Sequence, residues 1–192
     1  MKIKFTLFVW QNFLCLFFVF FVQIAFCQTT VSLIDNEIRS LNGGVRAGMG
    51  GRSRVTIPIR IPQHAVGLVY TIQAYRSSET PEALNLALAI GTLYTTGSPA
   101  LASLASKLQI PISTQTVDAY ILTSQKDESM FVAKNDGYWS TYSLADRQAC
   151  VNCKVSLEFK PVEQDQIVYL ALRNPSALEA IKIQVNAVAI VP

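Results

Sequence analysis

The chain has 192 residues, 51% of them hydrophobic and 15% charged, and its formal net charge is +3. Lys2 and Lys4 are two of the 16 basic residues, so 14 basic residues stand against 13 acidic ones from residue 28 onward. This near-neutral balance gives no electrostatic reason to expect nucleic acid or an anionic membrane surface as a partner. The length beyond residue 27 suits one domain with a substantial core.

Residues 1–27 have the pattern of a secretory signal peptide. The basic start, residues 1–4, precedes a run of apolar and aromatic residues. The small residues Ala25 and Cys27 then occupy the −3 and −1 positions before Gln28. We therefore predict cleavage after Cys27 and a secreted or periplasmic protein.

Two alternatives for this segment stay open. Residues 5–26 approach the length of a bilayer span, which takes about 20 apolar residues, so the segment could be an uncleaved membrane anchor. Cys27 could instead be the acylated residue of a lipoprotein, although the bulky Phe26 precedes it. A membrane partner is expected only in these two cases.

Residues 28–51 are predicted to form a flexible, glycine-rich lead-in. A short apolar stretch over residues 31–34 is followed by five glycines within residues 42–51. Such glycine density disfavours a regular helix or strand. A phosphate-binding loop would have to lead into a helix, whereas the next pattern here is a strand.

Residues 52–61 predict the first long strand. Polar residues and Pro58 alternate with apolar ones, which are Val55, Ile57, Ile59 and Ile61. A period of two is typical of a half-buried strand. Pro58 has no N–H to donate to a ladder, which predicts an edge strand. A turn over residues 62–65 leads to a second strand over residues 66–75, through a hairpin or a crossing between sheets.

A two-helix insertion is predicted within residues 80–108. Thr80-Pro81-Glu82 is a helix start signal, and the apolar run of residues 83–90 follows it. Ser98-Pro99 repeats the signal before residues 100–108. We expect both helices to pack on a sheet, and a surface that meets a partner is the alternative.

The strand pattern resumes after the insertion. A short helix is predicted over residues 127–134 and a turn at Asn135-Asp136-Gly137. The further strands are predicted at residues 117–123, 138–142, 154–159, 166–173 and 180–190. The last strand changes phase near Asn186, which predicts a bulge or burial on both faces. Seven or eight strands at this spacing predict a mainly β protein, an antiparallel, jelly-roll-like β-sandwich over residues 52–192 with the helical insertion.

Cys150 and Cys153 are spaced C-x-x-C. One such pair cannot complete a tetrahedral zinc site, and the alternating strand pattern that follows differs from the helix of a redox motif. We predict a disulfide across a turn, formed in an oxidising compartment. Two free thiols or a labile redox pair remain the alternatives.

Two runs resemble parts of known secreted domains. Residues 51–62 with Val69-Tyr70 form one run, and residues 168–175 with the apolar final strand form the other. They resemble the opening and the last hairpin of small secreted bacterial β-sandwiches of the pre-peptidase C-terminal and GOLD-like kind. The resemblance implies an accessory or binding domain, and it brings no catalytic residues.

Arginines are the first candidate ligand-binding residues. Arg52, Arg54 and Arg60 share strand parity and would line one face of the first long strand. Such a row could hold an acidic glycan, a phosphate-bearing lipid headgroup or the carboxylates of a partner. A charged edge strand that discourages aggregation is the alternative.

Aromatic residues are the second candidates. Tyr138 and Trp139 lie beside the Asn135-Asp136-Gly137 turn, and an exposed ring there could stack on a sugar. In a strand the two rings would point to opposite faces, so only one of them would be exposed while the other joins the core.

No catalytic set is apparent. His64 is the only histidine, and it falls in a predicted turn. Several acids could hold Ca²⁺ through loop oxygens, but they match no spaced motif; they are Asp35, Glu37, Asp127, Glu128, Asp136, Glu163 and Asp165. We predict no metal site and no cofactor.

These observations favour a secreted or periplasmic, non-enzymatic binding or interaction protein with an unknown protein or glycan partner. A carbohydrate-binding module that uses Tyr138 or Trp139 is the first alternative. A secreted hydrolase that uses Asp127, Glu128 or Asp136 is the second.

Overall fold

The computed structural model describes residues 28–95 and 100–192. The signal-peptide, membrane-anchor and lipoprotein interpretations of residues 1–27 therefore lie outside the described residues, as does the helix start signal predicted at Ser98-Pro99. Within the described ranges, no helix is long and apolar enough to cross a membrane.

The described residues form eight strands and four α-helices. The strands are β1 (Thr29–Leu41), β2 (Arg54–Ile61), β3 (Gly67–Arg76), β4 (Val117–Leu122), β5 (Arg147–Cys150), β6 (Cys153–Glu158), β7 (Gln166–Arg173) and β8 (Ile181–Val191). The helices are α1 (Gly44–Gly48), α2 (Leu86–Thr95), α3 (Leu104–Lys107) and α4 (Gln125–Val132), with 3₁₀ turns at Leu101–Ser103 and Ser143–Ala145.

The strands form two antiparallel sheets of four strands each. Sheet A has the order β1-β8-β3-β6, and sheet B has the order β2-β7-β4-β5. The chain changes sheet at every connection except the one from β4 to β5. These interlocked orders are those of an eight-stranded jelly roll, so the predicted sandwich is confirmed. β2 lies at an edge of sheet B, as Pro58 predicts, and it crosses to β3 in the other sheet.

The apolar core lies between the two sheets. In the longer inner parts of the strands, alternate side chains point inward and are buried, for example Ile57, Ile59, Leu68, Tyr70, Leu170, Leu172, Ile183 and Val185. The two chain ends of the described sandwich meet in sheet A, where Thr29 pairs with Val191. Ile190 pairs with Gly67, so the chain enters the sandwich at the end where β3 begins.

The helical insertion covers the outer face of sheet A. Side chains of α2 and α3 and of the intervening 3₁₀ turn form a second buried cluster with three residues of β3 and β8: Leu86, Ile90, Leu101, Leu104, Val69, Val188 and Ile190. This confirms that the insertion packs on a sheet. It also explains the phase change near Asn186, because β8 is buried on both faces along most of its length.

The structure places the start of the first inserted helix later than predicted. α2 begins at Leu86, and the Asn85 side chain accepts a hydrogen bond from Leu88 N at 2.9 Å. The preceding backbone is bonded to sheet A instead, because the Glu82 carbonyl accepts from Gln184 and Leu84 N donates to Asn36 Oδ1. The Thr80-Pro81-Glu82 signal is therefore in a non-helical segment.

Most of residues 28–51, the predicted flexible lead-in, have regular secondary structure. β1 covers residues 29–41 and α1 covers residues 44–48. The alternation of β1 is hidden by register shifts near Ile34 and Asn36. Asn36 has a left-handed backbone with φ 49°, and its N–H donates to Asn186 Oδ1 at 2.8 Å. An irregular edge strand of this kind has no clean period of two.

One further strand prediction is wrong, and so is the last hairpin that the resemblance implies. Residues 138–142 form a loop, because their backbone bonds go to separate elements: Ser140 N donates to Asp127 and Tyr142 N donates to the Ile121 carbonyl. The predicted last hairpin is a crossing, since β7 belongs to sheet B and β8 to sheet A. A strand pattern alone does not indicate which sheet a strand joins.

The Cys150–Cys153 disulfide connects the two sheets. Cys150 ends β5 at the edge of sheet B, and Cys153 begins β6 at the edge of sheet A. Asn152 lies between them with φ 56°, and its side chain accepts hydrogen bonds from Ser113 N and Oγ at 2.6 Å. The predicted bridge is thus a link across the sandwich.

Candidate functional site

A cavity of about 580 Å³ opens between the two sheets at one end of the sandwich, and we call it the end cavity. It lies where β2, β4 and β6 end and where β3 and β7 begin. Side chains of the core or packed against the core form much of its lining: Ile61, Leu68, Ile121, Leu157, Val162 and Val168. The inner part of the end cavity is therefore apolar.

One wall of the end cavity is fixed by backbone hydrogen bonds. The loop over residues 159–165 pairs with the turn that follows β2. His64 N donates to the Val162 carbonyl at 2.8 Å, and Val162 N donates to the Ala65 carbonyl at 3.1 Å. Gln63 N also donates to Asp165 Oδ1 at 3.0 Å. These bonds hold the wall in place without a ligand.

Polar and aromatic side chains line the outer part of the end cavity. Tyr142 is 40% exposed, and Phe159 is half-buried beside it in the lining. The exposed polar lining residues are Thr123, Lys160, Glu163, Gln164 and Gln166. Among the described residues, these five side chains have no hydrogen-bond partner, so their polar groups can bind a ligand.

Arg54, one of the three predicted arginines, is enclosed by its surroundings. Its side chain is 8% exposed, and Nη2 contacts Asp136 Oδ2 at 2.8 Å. Nη1 donates to the Phe131 carbonyl at 3.1 Å, and the guanidinium lies 5.1 Å from the centre of the Phe131 ring. The hydrogen bond from Arg54 lowers the pKa of Asp136. Arg54 is thus a fixed cation beneath α4.

A second depression, the β2–α4 groove, has a volume of about 330 Å³. Residues on both sides of it carry charges, since Arg52 and Arg54 line it from β2 and its lead-in, and Glu128 and Lys134 line it from the α4 side. Thr56 Oγ1 donates to Glu128 Oε1 at 2.7 Å across the groove. Arg60 is exposed on the same strand but does not line the groove. The structure therefore brings two of the three predicted arginines together and leaves the third apart.

The two aromatic candidates have different environments, as predicted, although they lie in a loop and not in a strand. Trp139 packs edge-to-face on Tyr120 and Phe131, with ring centres at 5.1 and 5.2 Å. Tyr138 is 76% exposed. Trp139 thus belongs to a small cluster on the outer face of sheet B, and of these two candidates it is Tyr138 that presents its ring to solvent.

The acids proposed for hydrolysis make structural hydrogen bonds. Asp127 accepts from Ser124 Oγ at 2.5 Å and from Ser140 N at 3.0 Å. The bond from Ser124 is the main reason why the pKa of Asp127 is lowered. Glu128 is bonded to Thr56 and Asp136 to Arg54, so each of the three carboxylates has a partner that positions it.

Among residues 28–95 and 100–192, no group of three or more His, Cys, Asp or Glu side chains is placed to hold a metal ion. His64 is exposed in the turn after β2, with φ 66°. The acids considered for Ca²⁺ do not converge: Glu163 lines the end cavity, whereas Asp127 and Asp136 lie near α4.

Sequence reasoning did not find the end cavity. Its apolar lining looks like ordinary core in the pattern of each strand. Its polar residues are separated in sequence, since Thr123 follows β4 and the others lie in the loop before β7 or at the start of β7. One pattern in the sequence could have indicated this site. Between two predicted strands, residues 160–166 contain Pro161 and three Gln or Glu residues. A polar loop at the end of a sandwich is a common position for binding residues.

No protein-family model and no curated protein matches this chain.

Proposed function

We propose that this protein is an exported, non-catalytic binding module that takes a small amphipathic ligand into the end cavity. The observation that carries the proposal is the end cavity itself. Its interior is apolar, and its exposed polar side chains have no hydrogen-bond partner in the part of the chain that the structure describes. Ligand sites of proteins are mostly apolar concavities of about 300–1,000 Å³ with a few polar groups that orient the ligand.

The lining favours a ligand with an apolar body and a polar end. The body would lie against Leu68, Ile121 and Leu157, where burial of apolar surface is favourable by about 25 cal/mol per Å². The polar end would remain near Lys160 and Glu163. A binding role, as opposed to hydrolysis, is supported by the hydrogen bonds that already occupy Asp127, Glu128 and Asp136.

Adjacent residues of β7 provide a matched test. Val168 lines the end cavity, whereas its neighbour Ile167 is 46% exposed on the opposite face. The probe is 1-anilinonaphthalene-8-sulfonate, which combines apolar rings with an anionic group. We expect saturable fluorescence enhancement with the wild type and with Ile167→Trp, and loss of it with Val168→Trp because the larger ring fills the cavity. Equal binding by both folded variants, or none by the wild type, would refute the proposal.

Export is the second part of the proposal. It is supported by the disulfide, because such bonds persist in oxidising compartments, and by the signal pattern of residues 1–27. The test is the intact mass of the natively expressed protein in soluble and membrane fractions, without reductant. A soluble species that begins at Gln28 supports export with cleavage. A membrane species that retains residues 1–27, or carries lipid on Cys27, would support the anchored alternatives.

A carbohydrate-binding role has one supporting observation, the 76% exposure of Tyr138. An exposed aromatic ring can stack on the apolar face of a sugar. A glycan array should then give binding that Tyr138→Ala removes. Silence of the array with and without Ca²⁺ would eliminate this second candidate.

A further inference from the structure

We propose that the β2–α4 groove is a second binding site, specific for the carboxylate of an acidic sugar. This site is separate from the end cavity. The groove borders the first half of β2, whereas the end cavity begins at Ile61, the last residue of β2.

Two exposed cations at the groove are free to bind an anion. Among the described residues, the side chains of Arg52 and Lys134 have no hydrogen bond or ion pair, and both line the groove. Arg54 lies next to them and is held rigidly by Phe131 and Asp136. A planar guanidinium such as that of Arg52 pairs with a carboxylate through two parallel hydrogen bonds.

The end of α4 positions Lys134 beside the groove. Lys134 follows α4 with φ 63°, and its N–H donates to the Phe131 carbonyl at 3.1 Å, while Asn135 N donates to the Met130 carbonyl at 3.0 Å. This helix ending usually has glycine at the left-handed position, because a Cβ is disfavoured there. The lysine at this position places an ammonium group at the edge of the groove, where a glycine would add no charge.

Glu128 selects among anionic ligands. Its carboxylate lines the groove and would repel a doubly charged phosphate more strongly than a single carboxylate. Besides the bond from Thr56, its oxygens can still accept hydrogen bonds from hydroxyl groups of a ligand. In a ligand with one carboxylate and several hydroxyls, the carboxylate can pair with Arg52 and Lys134, and a hydroxyl can donate to Glu128. The volume of about 330 Å³ is at the small end of ligand pockets, which suits a single uronic acid ring.

The test is an NMR titration of the ¹⁵N-labelled protein with galacturonate, at constant ionic strength. We expect saturable shifts of the amides of residues 51–56 and 128–134. Removal of the two free cations in the double variant Arg52→Gln/Lys134→Gln should weaken binding about tenfold or more, since each charge-assisted hydrogen bond is among the stronger ones. Arg60→Gln is the matched control on the same strand and should bind like the wild type.

The variant Lys134→Gly distinguishes an effect on ligand affinity from an effect on stability. Glycine relieves the left-handed backbone, so this variant should have a higher Tm than the wild type and yet bind galacturonate more weakly. Equal shifts with inorganic phosphate or with neutral glucose would refute specificity for a uronic acid. Absence of saturable shifts, or equal weakening by Arg60→Gln, would refute the site. The end cavity is tested by other variants and another probe, so the two proposals fail independently.

Discussion

At the scale of single residues, the guanidinium of Arg54 connects three parts of the molecule. It joins β2 to the end of α4 through the Phe131 carbonyl and to the following turn through Asp136. Strand parity correctly places Arg54 and Arg60 on the outer face of sheet B. It does not indicate that α4 covers only one end of this face, which makes one arginine buried and the other exposed.

Arg54→Ala should therefore destabilise the fold. The substitution removes two charged hydrogen bonds and the contact with the Phe131 ring, and the Phe131 carbonyl then keeps only its backbone donors. We expect the free energy of unfolding to fall by about 1–3 kcal/mol, measured by urea denaturation. Arg60→Ala, as the exposed control, should change it by no more than about 0.5 kcal/mol; equal effects of both variants would contradict this role of Arg54.

Asp127 should make stability depend on pH under acidic conditions. Its hydrogen bonds with Ser124 and Ser140 lower its pKa in the folded state, whereas the unfolded value is about 3.9. The stabilisation is fully present above the unfolded pKa and is lost as the pH falls through the folded pKa. Asp127→Asn should therefore reduce the loss of Tm below about pH 4, and Ser124→Ala should have a smaller effect in the same direction. Identical pH profiles of the wild type and Asp127→Asn would contradict this prediction.

At the scale of elements, the insertion of α2 and α3 acts as a third layer. It covers the outer face of β3 and β8, which an ordinary two-sheet sandwich leaves to solvent. The apolar run of residues 83–90 identifies a packed helix from sequence alone. Its starting residue could not be predicted, because side chains of sheet A compete for the backbone groups of residues 82 and 84.

Two residues of α2 test this layer. Ile90 is fully buried against sheet A, and Leu88 on the same helix is 64% exposed. Ile90→Ala should lower the free energy of unfolding by about 2–5 kcal/mol, because it removes buried methyl groups and leaves a cavity. Leu88→Ala should have little effect in the same thermal or urea measurement. A small effect of Ile90→Ala would show that the insertion is only loosely packed.

Strand prediction succeeds where apolar residues recur with a clean period of two. It fails where bulges or side-chain packing determine the backbone conformation. β2 is predictable because apolar side chains alternate without interruption and Pro58 requires an edge. β1 is not, because its bulges break the pattern. Residues 138–142 have strand-like composition, yet the packing of Trp139 on Tyr120 and Phe131 explains those residues without a strand.

At the scale of the whole molecule, the jelly roll depends on which strands cross between the sheets. Cys150 and Cys153 mark one such crossing, and the disulfide links the edge strands of the two sheets there. The spacing predicts the bond but not its place, since local sequence carries no information on the sheet that each flanking strand joins. The end cavity could not be predicted from the sequence for the same reason, because its lining residues come from both sheets.

Removal of the disulfide should lower stability without affecting the end cavity. The bridge closes a very short loop, for which chain entropy gives roughly 2 kcal/mol. Cys153 pairs with Ile72, whereas the cavity residue Leu157 pairs with Leu68 at the other end of β6. The double variant Cys150→Ser/Cys153→Ser should therefore unfold at lower urea and bind 1-anilinonaphthalene-8-sulfonate with unchanged affinity. A loss of probe binding in the folded variant would contradict the separation of these two ends.

The pairing of Thr29 with Val191 has a consequence for orientation. Val191 follows Ile190, which pairs with Gly67 at the start of β3, so the chain joins the sandwich at the end that contains the cavity. A tether of residues 1–27 would hold this end towards the surface in which it is fixed, within reach of amphipathic molecules from that surface. Cleavage before Gln28 would release the domain and let the cavity sample the surrounding fluid in all directions. If the proposed export and binding hold, processing at this one bond would determine which supply of ligand the cavity meets.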